Sequence, residues 1–157
     1  PYDPGLAEFT VGQVAEEFSY RVLCGSDALN NRIHHTVIAA MEPQHVFEHV
    51  VDHTLVIMPG DRVDNILISI LLLSKQAERT GGMILSGGFE PHPTIEPLLR
   101  ASQIPVLISE DDTFTVSARM KDLGFKIRSY DTDKITRLHQ LVDEYVDMDQ
   151  ILKALEE

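Results

Sequence analysis

The sequence predicts an α/β fold, most simply a three-layer α/β/α sandwich with a mostly parallel sheet. Two observations carry this prediction. Short apolar runs of strand length alternate with segments whose apolar residues recur at helical spacing. Several of these runs lack polar alternation, which is typical of strands buried on both faces. Because crossovers between parallel strands are right-handed, helices are expected on both faces of the sheet.

The first half of the chain alternates predicted strands and helices. Thr10 is placed to cap a helix in "TVGQVAEEF", and a short strand in "RVLCG" follows. The run "TVIAAM" predicts a buried strand, and "EPQHVFEHVV" returns to helical spacing. "TLVIMPG" predicts the next strand. Asp61 can then cap a helix from Arg62 to about Ala77, which ends near Gly81.

The second half continues the alternation and then changes character. "MILSGG" predicts a strand and a turn, "HPTIEPLLRAS" a short helix, and "IPVLISE" another strand. A capped helix in "DDTFTVSARMKDLG" stops at Gly124, and "FKIRSY" can add an edge strand. Two closing helices are predicted in "DTDKITRLHQLVDEYV" and "DMDQILKAL", where Asp147 and Gln150 have capping-box spacing.

Length and composition favour one domain. With 157 residues, of which 43% are apolar, the chain can bury a substantial core. Residues 1–157 are therefore interpreted as a single domain, with its core at about 9–130 and closing helices at about 132–156. The apolar run at residues 66–73 is too short to cross a bilayer. Because the chain starts at Pro1 and ends in a helical pattern, we expect a piece of a longer protein.

The charge and the cysteine content exclude several classes of function. Thirteen Lys and Arg against twenty-five Asp and Glu give a net charge of −12, so nucleic acid and anionic membrane surfaces are not expected as partners. The single Cys24 excludes an internal disulfide and indicates a reducing, cytoplasmic setting.

Polar residues follow three of the predicted strands, in "PGDR", "SGG" and "SEDDT". In an open parallel sheet the carboxyl ends of the strands share one edge, where ligands bind. A helix start after "PGDR" attracts anions, and the glycines of "SGG" let backbone amides approach a ligand. The sequence therefore predicts a small anionic effector at this edge. Its candidate contacts are Asp61, Arg62, Ser86, Gly87, Gly88, Asp112 and Thr113.

Each of these features also has a purely structural interpretation. The glycine pair at residues 81–82 is most simply a helix C-cap. The pair at residues 87–88 can serve only to shape the exit from a strand. Asp61 and Asp112 fit plain N-caps as well as they fit ligand contacts. The first glycine pair is therefore interpreted as structural, and the second stays open.

Several stretches together resemble the DRTGG domain, in the version found in the central region of long bacterial phosphate acetyltransferases. They are "AAMEPQHVFEHV", "TLVIMPGDRVDNIL", "GMILSGGFEPHPTI", "IPVLISEDDTFTVSARM" and "FKIRSYDTDKITRLHQLVDEYVD". The resemblance covers about Phe9 to Asp147. The residues that give the family its name correspond here to Asp61, Arg62, Ser86, Gly87 and Gly88. Ser86 replaces the usual Thr, and the contiguous "ERTGG" at residues 78–82 is a lookalike.

The resemblance implies an α/β/α domain similar to the amino-terminal domain of HPr kinase/phosphorylase. It implies a non-catalytic regulatory or assembly module whose partner is the catalytic domain of the parent chain, where acetyl transfer takes place. A related domain in some regulated pyrophosphatases sits near a dimer interface, so a homodimer is also implied.

Few residues suggest catalysis by this segment. It has no G-x-x-x-x-G-K-[ST] motif and no evident nucleophile with a base, and no cofactor is predicted. The alternative function is a free-standing, metal-assisted phosphotransferase or phosphatase that uses the acidic loop at residues 110–112. His45, His49 and His53 are spaced to share one flank of a helix, and the first two are weak metal candidates. A solvated polar flank explains them more simply.

The apolar run at residues 66–73 covers most of the circumference of its predicted helix. An outer helix of a sandwich normally keeps one face in water, so this helix needs a cover. The closing helices supply one alternative, and a two-fold homodimer supplies the other. The candidate interface residues are Ile70, Leu71 and Leu72.

Overall fold

The structure is a computed structural model, which describes residues 8–76, 80–123 and 132–146. The chain forms two compact units, one of residues Glu8–Gly124 and one of residues Pro1–Ala7 with Phe125–Glu157. Each is described by itself. No helix in the described ranges is both long enough and apolar enough to cross a membrane.

The described residues of the first unit form seven strands and five helices, together with a 3₁₀ turn at Ser26–Ala28. The strands are β1 (Phe9–Thr10), β2 (Arg21–Cys24), β3 (Arg32–Ile33), β4 (His35–Ile38), β5 (Thr54–Pro59), β6 (Gly82–Ser86) and β7 (Val106–Ile108). The helices are α1 (Val11–Phe18), α2 (Pro43–Val46), α3 (Val63–Ser74), α4 (Glu96–Ser102) and α5 (Thr113–Leu123). In the second unit, α6 spans Thr132–Tyr145, as predicted.

The main sheet has five strands in the order β2-β7-β6-β5-β4. Strands β4 to β7 are parallel, and β2 joins the edge beside β7 in the antiparallel direction. A separate antiparallel ribbon pairs β1 with β3, which the sequence did not predict because each strand has only two residues. The prediction of a mostly parallel α/β sheet is confirmed.

Two apolar clusters cover the two faces of the sheet. Val56 and Met58 of β5 point into a cluster built with α2, α3 and α4. Leu55 and Ile57, the alternating residues of the same strand, point into a second cluster built with α1 and α5. All four side chains are fully buried. Since successive side chains of a strand point to opposite faces, this arrangement is the predicted three-layer α/β/α sandwich.

Two predicted helix starts are confirmed by their capping contacts. Thr10 accepts a hydrogen bond from the amide of Gln13, whose side chain accepts in return from the amide of Thr10. Asp112 accepts from the amide of Thr115 in the first turn of α5. The predicted strand "FKIRSY" and the predicted helix "DMDQILKAL" lie outside the described residues.

The start of α3 differs from the prediction. Arg62 occupies the N-cap position, and no side chain caps the helix there. Asp61 contributes its backbone carbonyl, which accepts from the amide of Val63 at 3.0 Å. The N-cap interpretation of Asp61 is therefore wrong. The helix also ends earlier than predicted, at Ser74.

The first glycine pair does not cap a helix, so that interpretation is wrong as well. Gly82 is the first residue of β6. Gly81 has a φ of +96°, and a Cβ there would lie 2.5 Å from the carbonyl oxygen of Thr54. Glycine is needed at this position because the backbone of β5 approaches closely and φ is positive.

Two further element predictions need correction. Only the first three residues of the run "TVIAAM" lie in β4, which is an edge strand with mostly exposed side chains rather than a buried one. The predicted helix in "EPQHVFEHVV" is only the four residues of α2, followed by a turn. His53 then adopts a left-handed conformation with φ of +61°, which directs the chain into β5.

Candidate functional site

The carboxyl ends of β5, β6 and β7 bring the predicted ligand contacts to one edge of the sheet. Ser86, the last residue of β6, pairs with Pro59 of β5. Its carbonyl accepts from the amide of Gly60 at 3.2 Å. The loops that follow these strands therefore start side by side, as the parallel arrangement requires.

Arg62 binds a neighbouring carboxylate at the start of α3. Its guanidinium donates two hydrogen bonds of 3.0 Å to the two carboxylate oxygens of Asp64, in a bidentate pair. It also approaches the carbonyl of Met41, at 3.5 Å. The hydrogen bond from Arg62 lowers the pKa of the Asp64 carboxyl below its ordinary value. Asp64 is therefore already paired with the guanidinium of Arg62, which was predicted to attract an external anion.

The loop after β4 is fixed by the same region of α3. The amide group of Asn65, which is fully buried, donates to the carbonyls of Ala39 at 2.7 Å and Met41 at 3.0 Å. Sequence reasoning missed this residue, because an Asn in the first turn of a helix normally indicates only a surface position.

Gly87 and Gly88 form a turn with positive φ values of +83° and +68°. Their amides are used inside the protein: Gly87 donates to the carbonyl of Asp111 at 2.7 Å, and Gly88 donates to that of Ser109 at 2.8 Å. The two amides were predicted to approach a ligand. In this conformation they are instead engaged by carbonyls of the protein, so that ground for the prediction is wrong. What the turn does is connect the exit of β6 to the loop between β7 and α5.

Ser86 and Thr113, both predicted ligand contacts, meet directly. Their hydroxyl oxygens are 2.7 Å apart. Ser86 is fully buried, whereas Thr113 is partly exposed at the first residue of α5. The Ser86 side chain therefore points to the face of the sheet that α5 covers.

Asp112 caps α5 with both carboxylate oxygens. Besides the amide of Thr115 at 3.0 Å, it accepts from the hydroxyl of Thr115 at 2.8 Å. The amide hydrogen bond is the main reason that the pKa of Asp112 is lowered. Its side chain is turned toward the helix rather than toward the neighbouring loops.

Asp111 is the centre of a cluster that the sequence did not reveal. One of its carboxylate oxygens accepts from the hydroxyl of Tyr20 at 3.2 Å, from Ser109 at 3.4 Å and from Arg119. Arg119 also lies over the ring of Phe18, 5.7 Å from its centroid. Burial is the main cause that raises the pKa of Tyr20. Tyr20 is 91 positions away from Asp111 in the sequence, so only the fold shows that it belongs to this cluster.

Two phenylalanine side chains flank the same edge of the sheet. Phe114, in the first turn of α5, is 81% exposed, and Phe89, after the glycine turn, is 50% exposed. A Cβ on Gly87 would lie 2.8 Å from the ring of Phe89, so this ring covers the glycine. Beside Gly88, the carboxylate of Glu110 takes the equivalent place.

The histidines that were weak metal candidates do not share a helix. His45 lies in α2, and His49 lies in the turn that follows it. Within residues 8–76, 80–123 and 132–146, no group of three or more His, Cys, Asp and Glu is arranged to hold a metal ion.

The candidate interface residues differ in their exposure. Ile70 and Leu72 are partly buried and pack against the cluster under α3. Leu71 is 44% exposed, as is Leu67 at 41%, one turn earlier. The helix is therefore largely covered by its own unit, and a stripe of two leucines stays open.

These features can be compared with known proteins. A profile of the DRTGG domain matches residues 13–123, which is more than half of the chain. The chain belongs to the DRTGG family. Of the residues that the resemblance relates to the name of the family, Asp61, Arg62, Gly87 and Gly88 lie after β5 and β6, and Ser86 is the last residue of β6.

Several relatives of this DRTGG chain are phosphate acetyltransferases. The enzyme of Synechocystis sp. is 28% identical over 164 residues, which is 99% of this chain and 23% of the enzyme. That of Nitratidesulfovibrio vulgaris is 29% identical over 96% of this chain and 22% of the enzyme. The Escherichia coli enzyme is 22% identical over 88% and 20%. The chain thus spans about a fifth of the length of these relatives.

One solved structure confirms the fold. It comprises the CBS and DRTGG domains of the regulatory region of Clostridium perfringens pyrophosphatase, complexed with the activator diadenosine tetraphosphate. The TM-score is 0.59 at 19% identity, and the alignment covers 78% of this chain and 52% of that one.

Proposed function

We propose that this chain is a non-catalytic regulatory or assembly module of a longer phosphate acetyltransferase, in which another domain interconverts acetyl-CoA and phosphate. The observation that carries the proposal is the extent of the match, because 99% of this chain corresponds to only 23% of the Synechocystis enzyme. Most of that enzyme lies outside the matched segment. The site geometry agrees, since the hydroxyls of Ser86 and Thr113 bond to each other rather than to a base.

We propose that residues 1–157 form one DRTGG-like domain and that it lies in the cytoplasm. The cytoplasmic setting is supported by the single Cys24, which is buried and unpaired. The partner of the domain is the catalytic domain of its parent chain. A test of the non-catalytic role is an acetyl-CoA:phosphate assay of the purified chain. We expect no turnover above a blank, and turnover would refute the proposal.

We further propose a small anionic effector at the carboxyl edge of the sheet. The group best suited to bind it is Arg62. Its ion pair with Asp64 is partly exposed, with side-chain exposures of 35% and 47%, and such surface pairs contribute only about 0 to 1 kcal/mol. An anion with two or more charges can therefore replace Asp64 at little cost. The related pyrophosphatase region binds diadenosine tetraphosphate, which supports nucleotides as the first class to test.

Thermal unfolding of the chain tests the effector proposal. Nucleotides, dinucleotides, phosphate and pyruvate-like acids are screened, and a ligand at a hundredfold excess over its Kd adds about 2.7 kcal/mol. Arg62→Ala should abolish the shift. Arg100→Ala is the matched control, because Arg100 forms a similar exposed ion pair with Glu96 within α4. A shift that persists in Arg62→Ala, or no shift with any of these ligands, contradicts the proposed site.

The homodimer is part of the same proposal, in a revised form. The exposed stripe of α3 consists of Leu67 and Leu71 rather than Ile70, Leu71 and Leu72. Phe47 after α2 and Leu98 on α4 are also about half exposed, and both helices flank α3. An apolar surface shared by three neighbouring helices fits a symmetric contact between two copies.

A further inference from the structure

His34 and His53 stack on each other at the amino edge of the sheet. Their ring centroids are 4.2 Å apart, and the ring planes differ by 22°. His34 follows β3 and precedes β4, whereas His53 immediately precedes β5. The stack therefore joins the β1–β3 ribbon to the start of the main sheet.

The backbone of His53 is a junction for this edge. Its carbonyl accepts from the amides of His34 at 2.9 Å and His35 at 3.2 Å. Its own amide donates to the hydroxyl of Thr80 at 3.0 Å, just before β6. A non-glycine residue with φ of +61° is held in this conformation by its surroundings. Local changes at His53 therefore reach three neighbouring segments.

The hydrogen bonds of the two rings identify which nitrogens are free for a proton. Nδ1 of His53 lies 3.0 Å from the carbonyl of Arg32, so it carries a hydrogen, and Nε2 is the basic atom. Nε2 of His34 lies 3.2 Å from a carboxylate oxygen of Glu8, and it therefore carries a hydrogen too. Both rings can be neutral in this arrangement, and the His34 ring can take up a second proton on Nδ1.

Most of the groups that face His34 disfavour a positive charge on its ring. On the ribbon, Glu8 attracts a proton to the ring, whereas Arg32 repels it. His35 at the start of β4 and His53 before β5 also disfavour the charged ring. Burial is the largest cause, and the sum lowers the pKa of His34. A protonated His34 ring would lie face to face with the ring of His53, with Glu8 as its carboxylate partner.

We propose that the stacked pair of His34 and His53 is a proton-sensitive latch that fastens the β1–β3 ribbon to the amino edge of the sheet. At neutral pH the His34 ring is uncharged, and the latch is closed. As the pH falls, His34 binds a proton and the stack separates. The amide hydrogen bonds from His34 and His35 to the carbonyl of His53 then open. The latch lies at the edge opposite the proposed effector site and does not depend on it.

Hydrogen exchange at two pH values tests the latch. The protection factors of the His34 and His35 amides are measured at pH 7.5 and 5.5, each corrected for the intrinsic exchange rate. We expect both to fall roughly tenfold at pH 5.5, because the separated stack binds a proton more tightly than the closed one. Equal protection at the two pH values would overturn the latch.

Two variants distinguish the latch from a general effect of acid. In His53→Asn the residue still tolerates positive φ and can donate to the carbonyl of Arg32, but it cannot be protonated. His34→Gln keeps a donor for Glu8 and also lacks the ring. In either variant that folds, the acid-induced fall in protection of the amides at positions 34 and 35 should disappear. His139→Asn, which removes an exposed histidine of α6, should leave it unchanged. A fall in protection that survives in both His53→Asn and His34→Gln refutes the proposal.

Discussion

The hydroxyl oxygens of Ser86 and Thr113 lie 2.7 Å apart and join the end of β6 to the start of α5. Ser86 is fully buried. A buried hydroxyl needs a partner, and here the partner is another hydroxyl. Two residues that the sequence marks as ligand contacts thus have a structural role that can be measured without a ligand.

A double-mutant cycle measures the contribution of this hydrogen bond. Ser86→Ala and Thr113→Val should each lower the free energy of unfolding by about 1 kcal/mol, because each removes the hydrogen bond and leaves the other hydroxyl without this partner. The double variant should lose less than the sum, since the same hydrogen bond is removed only once. Urea denaturation provides the three values. Strict additivity would contradict the contact.

Glycine positions near the glycine turn should differ in their tolerance to alanine. At Gly60 a Cβ would overlap the backbone carbonyl oxygen of Phe89, which cannot move without shifting the turn. At Gly88 a Cβ would meet only the end of the flexible Glu110 side chain, although φ is positive. We expect Gly60→Ala to cost about 3 kcal/mol or more and Gly88→Ala about 1 to 2 kcal/mol. Denaturant midpoints that reverse this order would be inconsistent with the structure.

The sequence predicted the layers of the fold well because apolar periodicity reports burial. β5 and β6 lie in the centre of the sheet, and their continuous apolar runs identify them without ambiguity. "TVIAAM" has the same local pattern, but it begins in the edge strand β4 and leaves the sheet after Ile38. Periodicity does not encode the order of strands in a sheet. That order depends on long-range pairing, which a single sequence does not show.

The sequence predicted that the candidate contacts share one edge of the sheet, as they do, but it did not show their bonding partners. Strand ends are visible in the sequence, so Arg62 and Ser86 were found. Their bonding depends on residues that compete for the same groups, and here Asp64 pairs with Arg62. The Tyr20–Asp111 contact spans 91 positions and leaves no local pattern.

Removal of the Tyr20 hydroxyl should show the value of that hidden cluster. Tyr20 is 7% exposed, and its hydroxyl donates to Asp111. Tyr20→Phe should lower the free energy of unfolding by about 1 kcal/mol, the usual value for a partly buried hydrogen bond. Tyr145→Phe serves as the control, because Tyr145 is 59% exposed on α6 and its change should have almost no effect. Equal effects in the two variants would argue against the cluster.

Acid should weaken the start of α5 through Asp112. The pKa of this carboxyl is lowered in the folded chain by its hydrogen bond from the amide of Thr115. A lowered pKa means that the folded state holds the proton less tightly, so the stabilisation is present above about pH 4 and is lost as the pH falls further. Asp112→Ala should lower the Tm at pH 7, whereas Asp112→Asn should keep most of the cap. At pH 3 the wild type and Asp112→Ala should differ less, and an undiminished difference would contradict the assignment.

The last prediction concerns the open stripe of α3. Leu67 and Leu71 keep 41% and 44% of their surface exposed, whereas Leu73 on the same helix is fully buried. Full burial of a leucine contributes about 1.5 to 3 kcal/mol. A symmetric contact covers Leu67 and Leu71 in both copies, so each of these four side chains contributes part of that amount. We expect the wild-type chain to sediment as a dimer at micromolar concentration.

Glutamate at both positions separates an interface from an internal core. Leu67→Glu with Leu71→Glu should give a folded monomer with an unchanged far-ultraviolet spectrum, because both side chains already reach water. Leu73→Glu should unfold the chain instead, since it places a charge in the core. Phe114→Glu is the control for removing an exposed apolar side chain, as Phe114 is 81% exposed on α5, at the opposite face of the sheet. It should leave the dimer intact. A wild-type chain that stays monomeric at high micromolar concentration rules out the interface, and an unfolded double variant shows that the stripe belongs to the core.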